Sequence, residues 1–160
     1  MIGILSDSHD NLPAVRRAVR FFKETECRLV IHAGDFVAPF AAKELAEAGC
    51  PVKAVFGNCD GERAGLTAAI EPFGTIRDAP LEFTCGGLRA AIVHLDASAA
   101  ALSARQKYDV VIFGHTHKPE VRRSGKTLLV NPGETGGWIS GTSTVALFDP
   151  KTGRAEIVPI

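Results

Sequence analysis

A chain of 160 residues can enclose one domain with a real core and little more, so residues 1–160 are read as a single domain. Eighteen Lys and Arg balance eighteen Asp and Glu, which removes the basic excess expected of an extended nucleic-acid surface. With 46% apolar and 22% charged residues and no apolar run near the ~18 residues of a membrane span, the composition is ordinary globular.

Residues 2–5 form a short apolar run and read as a strand with no basic leader segment ahead of it. Leu12, Val15, Val19 and Phe22 then recur at helical spacing to about Thr25, with Asp10 or Asn11 as the cap and Pro13 in the first turn. Residues 28–33 are a second strand, and Pro39 to Ala48 a second helix stopped by Gly49. Residues 52–56 are a third strand, followed by a short helix over 62–70. This β-α-β-α-β order predicts a parallel sheet with helices on its faces. Beyond it the pattern changes. Hairpins are expected over 81–93, 121–131 and 142–158, an Ala-rich helix over 97–107, and a strand over 110–113. The expected fold is α/β: two mixed sheets face to face, flanked by helices.

The ends of the apolar runs carry the chemistry. They read Leu5-Ser6-Asp7-Ser8-His9, Ala33-Gly34-Asp35, Phe56-Gly57-Asn58, Val93-His94 and Phe113-Gly114-His115-Thr116-His117. Ligand sites in such sheets lie outside the carboxyl ends of strands, so Asp7, His9, Asp35, Asn58, His94, His115 and His117 are expected in one pocket. His115 and His117 are two apart, and on an extended segment they point to one side. Seven nitrogen and oxygen donors exceed the needs of one transition metal and suit two ions about 3.5–4 Å apart. The donor types fit manganese, iron, zinc, nickel or cobalt rather than a Cys-type structural zinc. Such a pair would lower the pKa of a bound water toward about 7 and supply hydroxide at neutral pH.

In order and spacing, Asp7-x-His9, Gly34-Asp35, Gly57-Asn58-x-Asp60, His94 and Gly114-His115-x-His117 resemble the calcineurin-like metallophosphoesterase signature. The short length, the stretch Gly57-Asn58-Cys59-Asp60-Gly61-Glu62-Arg63 and Asn131-Pro132-Gly133-Glu134 resemble its small prokaryotic phosphodiesterase branch, which is related to the small subunit of retromer. The resemblance implies a four-layer αββα sandwich and a dinuclear site. It implies Asp7, His9, Asp35 and His117 on one metal, and Asp35, Asn58, His94 and His115 on the other, with Asp35 bridging. It also implies a small phosphate-ester substrate, with a non-catalytic scaffold like the retromer subunit as the alternative. Manganese is the first choice of metal.

Two positions depart from the family pattern. Cys59 stands where many members place a His that protonates the leaving group, so good leaving groups are expected to react best. His94-Leu95-Asp96 replaces His-Gly-His. Asn58, Cys59 and Asp60 are read as the residues nearest the substrate, with Asp60 orienting a ligand or donating a proton. His32 has the wrong parity for the pocket and is read as structural or as a hydrogen-bond partner behind the ligands. Glu134, Thr135 and Trp138, in the Gly-rich loop 133–141, are read as lining the site or meeting another subunit. Cys27, Cys50, Cys59 and Cys85 form no C-x-x-C and are read as free thiols of a cytoplasmic protein. Exposed hairpin edges suggest a homodimer.

Overall fold

The computed structural model describes residues 1–160 as two sheets packed face to face. Strands β1 (Ile2–Leu5), β2 (Leu29–His32), β3 (Val52–Val55) and β4 (Gly74–Arg77) run parallel, and β10 (Thr144–Asp149) and β11 (Arg154–Pro159) extend the sheet antiparallel on the β1 side. The second sheet orders β5 (Leu81–Cys85), β6 (Leu88–Ile92), β7 (Val110–Ile112), β9 (Thr127–Asn131) and β8 (Glu120–Ser124). Within it β6, β7 and β9 are parallel.

Side-chain alternation along the strands builds the four layers. Ile2, Ile4 and Ile31 of the first sheet meet Ile92, Ile112 and Val130 of the second. The opposite face of the first sheet packs on helices α1 (Leu12–Glu24), α2 (Pro39–Ala42) and α3 (Arg63–Ile70), with Leu5, Val30 and Ala54 against Val15, Phe22, Leu45 and Leu66. The outer face of the second sheet carries α4 (Asp96–Ala104), where Val111, Phe113 and Leu129 meet Ala99 and Leu102. Helix α1 starts as expected: the Asn11 side chain accepts from the Ala14 N–H, with Pro in the first turn.

Three local expectations need correction. The helix read over Pro39–Ala48 is a single α-turn that continues as a 3₁₀ segment, Lys43–Ala48, ended by Gly49 at φ +71°. The strand expected from Thr142 begins at Thr144, because the chain is still turning through Gly141. Strand β4 was not anticipated; it holds one fully buried apolar side chain, Ile76, too few for a periodic signal.

Register positions the site. Leu5 pairs with His32 and His32 with Ala54, so β1, β2 and β3 end level. Ile92, Ile112 and Val130 pair in the same way across β6, β7 and β9. The loops after these tips converge at one end of the sandwich.

Candidate metal centre

All seven donors expected at the strand tips meet here, but not on extended backbone. Asp7, His9, Asp35, His115 and His117 have φ between +41° and +69°. L-residues enter this left-handed region only where surrounding structure holds them, and such residues cluster at functional sites. His115 and His117 thus share a cavity because the chain curls after Ile112, not because a strand alternates. Asp7 pins that curl: both of its carboxylate oxygens lie within hydrogen-bond distance of the His115 N–H, at 3.2 and 3.1 Å. Asn131 holds it from the other side, donating to the Gly114 carbonyl and the Thr116 hydroxyl.

The donors fall into two groups that share an aspartate. Asp35 Oδ2 stands 3.7 Å from His9 Nε2 and 3.4 Å from His94 Nε2. On the first side, His9 Nε2 is 4.0 Å and His117 Nε2 3.5 Å from Asp7 Oδ1, and the His9 and His117 rings stack at 5.2 Å. On the second, Asn58 Oδ1 is 2.9 Å from His94 Nε2, and the His115 ring meets the His94 ring edge-on at 5.2 Å. Ligand atoms of Asp7, His9 and His117, and of Asp7, Asp35 and His94, each lie within 4.8 Å of one another.

The chemistry of this set fits cations. His9 Nε2 is buried without a hydrogen-bond partner, and the carboxylate oxygens around it are beyond hydrogen-bond range. His94 Nδ1 lies 2.8 Å from the Ala33 carbonyl, which can only accept, so Nδ1 carries the proton. With Nδ1 protonated, a neutral His94 would turn its Nε2 lone pair toward oxygens of Asp35 and Asn58. A shared cation satisfies all of these acceptors, and a second hydrogen bond at the far ring nitrogen is the usual arrangement for a ligating His.

Electrostatics agree. Burial alone would raise the Asp35 carboxyl, but His94 and the Cys59 N–H, at 2.8 Å from Oδ1, hold it well below the usual range. Asp7 is fully enclosed, and burial outweighs its Ser6 and histidine neighbours to raise its pKa. Burial opposes charge on His94, yet Asp35 raises its pKa. Two buried acids among imidazoles form a site whose charge a divalent ion would balance.

The three residues expected nearest the substrate take different places. Asn58 faces the pocket beside His94. The Cys59 thiol is exposed at the pocket edge, where burial and the Asp35 carboxylate push its pKa up to about 11. Its backbone N–H donates to Asp35 Oδ1, and its sulfur accepts from Asn58 Nδ2 at 3.3 Å and lies within 4.8 Å of ligand atoms of His9 and Asp35. Asp60 is turned away from the pocket; of the two roles read for it, orienting a ligand or donating a proton, its contacts resemble the first. Its buried carboxylate accepts from the N–H groups of Asp35, Phe36, Val37 and Gly57 at 2.7–3.0 Å. It clamps the Asp35 loop to the Asn58 loop.

His32 lies outside the donor set, as its parity implies. It is buried, stacked on Phe36 at 3.4 Å, with Nε2 against the Ser8 hydroxyl and Nδ1 accepting from the Gly34 N–H. Asp10 and Asn11 tie loops together: Asp10 accepts from the Ala38 N–H and Asn11 donates to the Gly136 carbonyl.

The residue whose role the sequence did not disclose is Glu134. Its carboxylate is buried, lies 3.2 Å from His117 Nδ1, and collects the N–H groups of Trp138, Ile139 and Ser140. Burial would raise its pKa, but the Ser140 and Ile139 donors hold it down, so it stays charged behind His117. Asn131-Pro132-Gly133-Glu134 was the available signal, but nothing local tied it to a histidine 17 positions earlier.

An αββα sandwich with imidazoles and carboxylates at its strand tips defines a class of metal-dependent hydrolases of phosphoric esters. The chain matches the Calcineurin-like phosphoesterase superfamily domain over residues 1–153, and it belongs to that family. It is 36% identical over 152 residues to the phosphodiesterase MJ0936 of Methanocaldococcus jannaschii, covering 92% of each chain. A solved archaeal phosphodiesterase superposes with a TM-score of 0.94 at 32% identity over 99% of both chains. Vps29 of Entamoeba histolytica superposes at 0.70 with 16% identity over 99% of this chain and 98% of that one, a likeness of fold.

Proposed function

We propose that this protein is a phosphodiesterase that hydrolyses small phosphate diesters with two divalent transition-metal ions. The observation that carries the reading is the Asp35 carboxylate standing between the His9 and His94 nitrogens. Asp7, His9, Asp35 and His117 would hold one ion and Asp35, Asn58, His94 and His115 the other, with Asp35 bridging. When bound, the ions would supply Lewis-acid activation of water and of the phosphoryl oxygens.

The chain's own residues set the geometry for this. Asp7 fixes the His115 backbone and Glu134 backs His117, so the imidazoles of the 115–117 loop are preorganised. The Cys59 N–H orients Asp35, and Asp60 fixes both loops that carry Asp35 and Asn58. Asn58 is the residue we assign to the substrate as well as to the second ion. No imidazole stands at position 59 to protonate a leaving group, so esters with acidic leaving alcohols should turn over best. Manganese is our first choice among ions that accept nitrogen and oxygen donors.

Four unpaired cysteines support a cytoplasmic setting, and no helix is long and apolar enough to cross a membrane. Edge strands β4, β5, β8 and β11 offer free backbone groups to a second copy, the support for a homodimer. The three hydrophobic clusters run through the whole of residues 1–160, which supports a single domain. A scaffold without catalysis has only the fold likeness to Vps29 behind it, and a scaffold has no use for four converging imidazoles.

Metal content and turnover test the proposal. Protein loaded with manganese should hold about two ions per chain and hydrolyse bis(4-nitrophenyl) phosphate, with chelator abolishing activity. His117→Ala should lose one ion and Asp35→Asn both. Turnover that survives chelation, or either variant with wild-type rates, would overturn it.

A further inference from the structure

Beside the ligand set, two large apolar side chains stand in the open. Trp138 is 65% exposed and Ile139 is 79% exposed. Exposure alone is common, but these two form one side of the cavity of about 260 Å³ that five of the seven proposed ligands, His9, Asp35, Asn58, His115 and His117, also line. They are also held in place. The Trp138 indole N–H donates to the His9 carbonyl at 3.1 Å. The Trp138 and Ile139 backbone N–H groups are both fixed on Glu134, the carboxylate behind His117. Gly136 lets the loop lie flat on the Asp7 turn: its N–H donates to the Asp7 carbonyl, and a Cβ there would stand 2.9 Å from the Ser8 carbonyl and 3.1 Å from the indole.

We propose that Trp138 and Ile139 form the binding wall for an aromatic ester substituent, so that the preferred substrates are phosphate esters carrying a flat aryl or heteroaryl group. The inference rests on the phosphodiesterase reading of this site. The ligand set lines the floor of this cavity, so a phosphoryl group held there would place its substituent at the open rim formed by Trp138 and Ile139. A rigid indole loses little freedom on stacking and offers a π-face to any planar group. The wall adjoins the ligand set on the side of His9 and His117, so it acts on whatever is attached to phosphorus.

Phenylphosphonate and methylphosphonate test this, because their P–C bonds do not hydrolyse and they differ only in the ring. Against bis(4-nitrophenyl) phosphate turnover, phenylphosphonate should inhibit the manganese-loaded protein on the order of tenfold more tightly than methylphosphonate. Trp138→Ala should erase that ratio, Trp138→Phe retain most of it, and Ile139→Ala reduce it. Trp138 is the only tryptophan, so its emission reports directly. Phenylphosphonate should change it and methylphosphonate should not. Equal inhibition by both compounds, or a ratio unchanged in Trp138→Ala, would overturn the proposal. So would a Trp138→Ala protein that keeps the ratio but shifts from dimer to monomer in sedimentation, which would make the wall a contact between copies. Absence of metal-dependent turnover would instead count against the phosphodiesterase reading, and the emission change would still decide whether the ring binds.

Discussion

Glu134 Oε1 lies 3.2 Å from His117 Nδ1, and the same carboxylate binds the backbone of residues 138–140. One buried charge therefore faces the His117 ring, whose Nδ1 is otherwise without a hydrogen-bond partner, and also holds the loop that walls the pocket. Glu134→Gln keeps the shape, removes the charge and turns one acceptor oxygen into a donor. Metal affinity should fall by about 10–100-fold, the usual effect of losing such a partner. Stability should fall by about 1–3 kcal/mol, because buried N–H groups lose an acceptor. Competition with a metal-sensitive dye and thermal unfolding measure the two effects. An affinity equal to wild type would show that His117 needs no support.

Asp60 accepts four backbone N–H groups from two loops. Asp60→Asn leaves one acceptor oxygen and sets an NH₂ against donors. The expected loss is about 2–4 kcal/mol of stability, since bonds to a charged acceptor are among the stronger ones. Metal content should fall with it as Asp35 loosens. A variant that unfolds like wild type but turns over slowly would return Asp60 to the role of proton donor.

Most of the donor set was legible in the sequence because each donor ends an apolar run, and level strand ends turn that pattern into proximity. The left-handed backbone at His115 and His117 was not legible: the hydrogen bonds that tie it to Asp7 and Asn131 join it to partners far away in the chain. The place of the Asp60 carboxylate was not legible for a related reason. It follows Asn58 closely, yet its own N–H turns back on the Gly57 carbonyl and carries the carboxylate behind the pocket. Strand β4 was missed because Gly74-Thr75-Ile76-Arg77 gains its place from pairing with β3 rather than from apolar alternation.

His32 is buried and neutral, its pKa held well below 6.5 by desolvation. The unfolded chain therefore binds a proton that the folded chain refuses. Stability from this group is complete above about pH 6.5 and falls as pH drops below it, by up to about 1.4 kcal/mol per pH unit. Urea unfolding of the metal-free protein between about pH 7.5 and 5.5 should show the decline. His32→Gln should be less stable at neutral pH, with Ser8 and Gly34 losing a partner, but its decline should be shallower by about one proton. Parallel curves for the two proteins would show that His32 does not contribute.

Gly57 must approach Asp35 closely. A Cβ at position 57 would collide with Oδ1 and the backbone nitrogen of Asp35. Oδ1 is fixed by the Cys59 N–H and the nitrogen by Asp60, so neither can give way. Gly57→Ala should therefore displace the carboxylate placed between His9 and His94. The expected result is a folded protein destabilised by about 1–3 kcal/mol, as for other overpacked sites, that no longer retains both ions. Gly61→Ala is the matched control four residues on: a Cβ there meets nothing within 4 Å, and metal content and melting temperature should not change. Elemental analysis after desalting separates the two outcomes. A Gly57→Ala protein that holds metal as tightly as the Gly61→Ala control would mean that the Asp35 loop can move and still bind, and that its close packing is not what positions the shared ligand.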